Sequence, residues 1–110
     1  MPVATRYLDP TQAPSRDQVD AMPGLVLVEF GTEWCGFCRA LEPQVTALLG
    51  QHPEVTHVKV EDGPGQPLGR SFKVRLWPNL VFLRDGHVVQ QLARPSRNEL
   101  AAAFQDLSRA

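Results

Sequence analysis

Val26-Leu27-Val28-Glu29-Phe30-Gly31-Thr32-Glu33-Trp34-Cys35-Gly36-Phe37-Cys38 is the stretch that decides the fold. An apolar, strand-like run carries one acid near its end, breaks at a glycine and delivers two cysteines spaced Cys-x-x-Cys. They are the only 2 cysteines in the chain. On a helix such a pair projects from one face about one turn apart, near enough for a disulfide where the local geometry allows it. A pair set between a strand and a helix reads first as redox-active and second as metal-binding.

The totals around this stretch narrow the classes. A chain of 110 residues supports one hydrophobic core, so a single domain over residues 1–110 is expected. A charged fraction of 21% with a net charge of -1 gives no electrostatic footprint for nucleic acid or an anionic membrane surface. Apolar runs such as Leu25 to Val28 are far shorter than the roughly 20 residues of a membrane span. Met1 to Tyr7 lacks a basic segment followed by an apolar block, so no secretory signal is read and a cytoplasmic, monomeric protein is expected. One cysteine pair is too few for a disulfide scaffold. As a staple it would close only a tiny loop, which restrains the unfolded chain little.

The pattern to either side predicts alternating elements. Pro2, Pro10 and Pro14 exclude a continuous element at the start, leaving Val3 to Leu8 as a short edge strand. Ser15-Arg16-Asp17-Gln18 is a capping box for a short helix to about Ala21. Leu25 to Phe30 reads as a strand covered on both faces. Cys35 to Leu49 reads as a helix with Leu41, Val45, Leu48 and Leu49 on its buried face, kinked at Pro43 and closed by Gly50. Thr56 to Val60 is the next strand, with Thr56, Val58 and Val60 on one face and His57 and Lys59 on the other. A short helix falls within Gln66 to Phe72. Leu80 to Leu83 and His87 to Leu92 form a hairpin about Arg84-Asp85-Gly86. Ser96-Arg97-Asn98-Glu99 caps a last helix running through Leu107. A parallel βαβ half joined to a ββα half predicts an α/β domain, a central mixed sheet of four to five strands with helices on both faces.

Thiol–disulfide exchange requires a thiolate. Unpaired N–H groups at a helix N-terminus favour an anion, and Cys35 falls there. Cys38, one turn deeper, is expected to be more buried and to donate a hydrogen bond to the Cys35 sulfur. Cys35 is therefore read as the attacking thiol and Cys38 as the resolving one. Glu29, within Val-Leu-Val-Glu-Phe, is expected on a sheet face covered by helices, where an unpaired carboxylate is costly. Alternation alone also allows it an exposed strand face.

Phe30-Gly31-Thr32-Glu33-Trp34-Cys35-Gly36-Phe37-Cys38-Arg39 resembles thioredoxin's Phe-Trp-Ala-x-Trp-Cys-Gly-Pro-Cys-Lys, departing at Gly31, Thr32, Phe37 and Arg39. Roughly residues 25 to 108 lie along the family pattern. The resemblance implies that Glu29 stands where thioredoxins carry a buried aspartate that moves the proton of the second cysteine. It makes Lys59 the lysine that pairs with this acid, and the Trp77-Pro78 bond cis. Trp34, Gly36, Phe37, Trp77, Pro78 and Arg94 are the expected substrate-binding surface, presenting backbone to an extended substrate segment. Phe37, Trp77 and Ala93-Arg94 depart from the common docking surface. Phe37 and Trp77 add apolar area, and Arg94 is expected to bring charge near Cys35. Loss of the intervening proline is expected to make the pair less reducing than thioredoxin's.

The function implied is a thiol–disulfide oxidoreductase that needs no bound cofactor and no metal. Its expected partners are protein disulfides and an electron donor, a thioredoxin reductase or a small thiol. The altered docking surface supports an alternative, a thioredoxin-fold binding or chaperone-like module with dispensable cysteines. Metal transfer by the cysteine pair is the third reading. A zinc site needs about four ligands, and His52, His57 and His87 are scattered along the chain.

Overall fold

The computed structural model describes residues 6–109. Residues 3–5 of the expected N-terminal edge strand lie outside the described residues. What remains of it is one parallel bridge between Leu8 and Val60. Leu8 donates to the Lys59 carbonyl at 2.7 Å and accepts from the Glu61 amide at 2.9 Å. Pro10 and Pro14 follow at once, and proline cannot extend a ladder.

Eight elements follow: α1 (Arg16–Asp20), β1 (Leu25–Gly31), α2 (Gly36–Gln51), β2 (Val55–Glu61), α3 (Pro67–Ser71), β3 (Asn79–Arg84), β4 (His87–Ala93) and α4 (Arg97–Arg109). The sheet has four strands in the order β2-β1-β3-β4. β1 runs parallel to β2 and antiparallel to β3, and β3 pairs antiparallel with β4. The mixed α/β sheet predicted from the sequence is thus present, with its parallel strand pair, β1 and β2, where the βαβ half sits.

β1 is central because its side chains are apolar on both faces. Val26, Val28 and Phe30 join Val58, Val60, Val81 and Leu83 in a core closed by Val19 of α1 and Leu68 of α3. On the other face Leu27, Val55, Leu80 and Phe82 meet Val45 and Leu49 of α2 and Leu100, Phe104 and Leu107 of α4. Phe82 and Phe104 lock this second layer edge to face, with ring centroids 5.3 Å apart. Burial of each such phenylalanine contributes about 1.5–3 kcal/mol.

Both capping boxes form. Ser15 accepts from the Gln18 amide while Gln18 returns to the Ser15 amide, and Ser96 and Glu99 repeat the exchange at α4. Pro43 is accommodated inside α2, but Gly50 does not end that helix. The helix runs to Gln51 and stops at His52, whose φ of -128° and ψ of 68° meet the demand of Pro53, since a residue before proline avoids the helical region. At the hairpin, Asp85 and Gly86 take φ of 48° and 82°, the left-handed pair that an Asp-Gly turn supplies.

Candidate active site

β1 ends at Gly31, a short loop follows, and α2 begins at Gly36 with Cys35 as its N-cap. Cys35 has extended backbone, so its sulfur swings back over the first turn and takes the place a capping oxygen would hold. It accepts from the Cys38 amide at 3.2 Å and from the Cys38 thiol at 2.6 Å. Both cysteines are free and buried, Cys35 7% exposed and Cys38 2%. Burial pushes the Cys38 thiol up to about 12, and its hydrogen bond to Cys35 adds to this. Cys38 thus keeps its proton at neutral pH and presents it to the neighbouring sulfur. The Cys38 side of the pair is also approached by the Thr32 backbone and by the Tyr7 hydroxyl.

Glu29 is buried on the β1 face that α2 covers, as burial of both faces requires. Its partner differs from the expectation. Glu29 Oε1 lies 2.8 Å from His57 Nε2, both side chains 3% exposed, a distance at which the imidazole N–H donates to the carboxylate. Lys59 is the register partner of Glu29 across β1 and β2, yet its ammonium pairs with Glu42 of α2 at 3.6 Å. The reason is reach. The short imidazole is fixed in the sheet beside Glu29, whereas the long lysine stem carries its charge outward to a half-exposed carboxylate. On the way it passes over the Tyr7 ring, 4.5 Å from the centroid.

Several of the expected docking residues contact one another beside the start of α2. The Trp77–Pro78 peptide is cis. Pro78 accepts from the Arg94 amide at 2.7 Å, and the Arg94 side chain donates to the Trp77 carbonyl at 2.8 Å. The Arg94 guanidinium also stacks 3.8 Å from the Phe37 ring centroid. Its charge is thus engaged by Phe37 and the Trp77 carbonyl. Trp34 meets Trp77 edge to face at 5.6 Å, and Trp34 and Phe37 remain 74% and 58% exposed. On the Phe37 and Arg94 side of this cluster runs a groove of about 310 Å³ lined by Phe37, Ala40, Leu41, Pro78, Arg94 and Pro95. A Cβ on Gly36 would meet open space, so the backbone beside Cys35 is accessible. Among the described residues no group of three or more His, Cys, Asp or Glu is placed to hold a metal ion.

Four contributors were not singled out by the sequence. Asp62 accepts from the Trp77 indole at 2.9 Å and so orients the ring. A buried indole N–H requires an acceptor, but the Asp-Gly context of Asp62 reads only as a turn. His57 shares a strand face with Lys59, which alternation shows without choosing between them. Glu42 lies on the exposed part of α2, and Tyr7 falls in the expected edge strand, where nothing marks it as part of the site.

A thioredoxin family model matches residues 9–106. Among solved structures, thioredoxin 2 from Pseudomonas aeruginosa PAO1 in its reduced form is 52% identical, with a TM-score of 0.82 over 96% of each chain. A thioredoxin H-type of Fagopyrum esculentum is 30% identical over 69% of this chain and 66% of its own length. The chloroplastic thioredoxin F1 of Arabidopsis thaliana is 29% identical over 74% of this chain and 46% of its own length. The chain thus spans two thirds or less of these two curated relatives. The fold and the cysteine pair define an α/β protein of the thioredoxin class, with a Cys-x-x-Cys motif at the start of a helix. The chain belongs to the thioredoxin family.

Proposed function

We propose that this protein is a thiol–disulfide oxidoreductase that reduces protein disulfides through a mixed-disulfide intermediate. The observation that carries the reading is the Cys35 sulfur at the N-cap of α2, accepting both the amide and the thiol hydrogen of Cys38. Two donors and a helix N-terminus stabilise negative charge on that sulfur, and the thiolate is the nucleophile. Cys35 attacks one sulfur of a substrate disulfide and the other leaves as a thiolate. Cys38 then gives its proton to Glu29, directly or through water, and attacks Cys35. The Cys35–substrate bond breaks, the second substrate thiol is released, and a Cys35–Cys38 disulfide remains.

The exposed rings of Trp34 and Phe37, with half-buried Trp77 against Trp34, suit an extended, partly apolar protein segment, with Gly36 open beside Cys35 and Pro78 and Arg94 along the groove. A thioredoxin reductase or a small thiol returns two electrons to the disulfide. The reading places the protein in the cytoplasm, where dithiols are kept reduced. Phe37 retains a backbone N–H in the first turn of α2 that a proline would lack. That extra donor favours the Cys35 thiolate and makes the pair less reducing than one with proline there. A potential equal to or below thioredoxin's on glutathione equilibration overturns this last point.

Cys38→Ala is expected to hold a covalent mixed disulfide with its client, and mass spectrometry of the trapped species names it. In insulin reduction, wild type is expected to turn over and Cys35→Ser to be inactive. Wild-type protein inert with every electron donor would instead support a binding module.

A further inference from the structure

Gly31 ends β1 beside the cysteine pair, and a side chain there is excluded. A Cβ built on it would fall 2.7 Å from Cys38 Sγ, 2.8 Å from the Tyr7 hydroxyl and 3.3 Å from Tyr7 Cε1, the first two far inside contact distance. The phenol and the buried sulfur therefore occupy the space that any other residue would fill. Tyr7 arrives from outside the helices and the sheet. Its position is fixed by the next residue, since Leu8 bonds to the edge strand β2 through both its N–H and its C=O. Lys59 covers the ring from the same strand.

We propose that Tyr7 is a catalytic residue of the resolving step, its hydroxyl donating to Cys38 Sγ as that sulfur becomes the attacking thiolate, and that Gly31 is the opening that admits it. This rests on Cys38 being the resolving thiol.

In the mixed disulfide, Cys38 transfers its proton to Glu29 and its sulfur becomes negative inside a buried site. Buried negative charge without donors is costly. The Thr32 backbone and the Tyr7 hydroxyl favour the ionised form of this sulfur, and the hydroxyl and the sulfur flank the same point beside Gly31. The thiolate then attacks Cys35 Sγ, the Cys35–Cys38 bond forms and the Cys35–substrate bond breaks. The substrate sulfur leaves with the bonding pair and takes up a proton. The substrate is reduced by two electrons and the dithiol is oxidised by two. Tyr7 keeps its own proton throughout. Burial first, then the negative Glu29 and the sulfurs of Cys38 and Cys35, hold its phenol above the ordinary tyrosine range. The Lys59 ammonium over the ring is the one cation facing it among the described residues, and it polarises the O–H toward donation.

The experiment uses the reduced full chain and an aromatic disulfide reagent that releases one coloured thiolate per step. Attack by Cys35 releases the first and resolution by Cys38 the second. Tyr7→Phe removes the hydroxyl and keeps the ring. It is expected to slow the second release about tenfold relative to the first at pH 7, the loss of one hydrogen bond to a charged group. The deficit is expected to persist across the pH profile. Gly31→Ala, which keeps Tyr7 but displaces its hydroxyl, is expected to lower the same ratio. An unchanged ratio at every pH in Tyr7→Phe overturns the proposal, and so does an equal slowing of both steps. Cys38→Ser separates the two readings. If it still gives the second release at wild-type speed, the assignment of Cys38 fails. If it stops after the first release while Tyr7→Phe behaves as wild type, only the role of Tyr7 fails.

Discussion

At the scale of single residues, the site separates two sulfurs by their surroundings. Cys35 sits at a helix end with donors around it, and Cys38 lies one turn deeper with a thiol pushed up to about 12, chiefly by burial. Below that value the thiolate fraction rises tenfold with each pH unit, so unaided resolution would be slow at pH 7 and steeply pH-dependent. Glu29, buried and bonded to His57, is the base proposed to remove that dependence. Glu29→Gln keeps the hydrogen bond to His57, because the amide oxygen still accepts, and loses the basic site. The resolving step is expected to fall about 100-fold at pH 7, within the range for losing a positioned base. It should then climb about tenfold per pH unit from pH 7 to 9, whereas the wild-type profile is flatter. Stopped-flow measurement of the second thiolate release checks both features. A variant with the wild-type profile would remove Glu29 from the mechanism.

At the scale of elements, the chain joins its pieces by backbone contacts that tolerate little change. The β3–β4 turn is docked against the end of α1. Asp85 accepts from the Gly24 amide at 2.7 Å and donates its own amide to the Gly24 carbonyl at 2.9 Å. A Cβ on Gly86 would fall 2.1 Å from the Asp20 carbonyl oxygen, and the residue has a φ of 82°. Gly86→Ala must therefore strain the turn and push α1 away. A loss of about 2 kcal/mol or more is expected, from left-handed strain plus the clash, read as a lowered urea midpoint with the cysteine chemistry retained. Such junctions mark the limit of what is legible along the sequence. The strand before Cys35, the capping boxes at Ser15 and Ser96 and the Asp-Gly turn are local patterns, and each appears where the pattern put it. The end of α2 was misplaced by two residues because the pre-proline constraint at His52 outweighs the glycine at position 50. The family resemblance names Lys59 as the partner of Glu29, and the register sets the two side by side, yet side-chain reach pairs Glu29 with His57. Tyr7 was invisible: the space it fills is created by the absence of a side chain 24 positions later, and no window of sequence contains both.

At the scale of the whole molecule, the parts of the site are spread over two strands and a helix, so its chemistry and the stability of the fold are linked. β1 supplies Glu29 and Gly31, β2 supplies His57 and Lys59 and holds Leu8 beside Tyr7, and α2 supplies the cysteines. Folding carries Cys38 from water, with an ordinary thiol value of 9.0, into a site where the value is about 12. The sign of the linkage follows. Below pH 9 the thiol is protonated in both states and the folded protein keeps its full stability. Between pH 9 and 12 the unfolded chain loses this proton and the folded chain retains it, so stability falls as pH rises. Tyr7, raised above its usual 10.0 in the fold, acts in the same direction at the upper end of that window. The oxidised protein has no Cys38 thiol and keeps only the tyrosine contribution. Urea midpoints from pH 8 to 11 are expected to decline more steeply for the reduced protein than for the oxidised protein, with the reduced Cys38→Ala variant following the shallower curve. If the reduced wild type and Cys38→Ala decline in parallel, the buried thiol is not a proton held by the fold, and the slow, base-dependent resolution argued for Cys38 loses its physical ground.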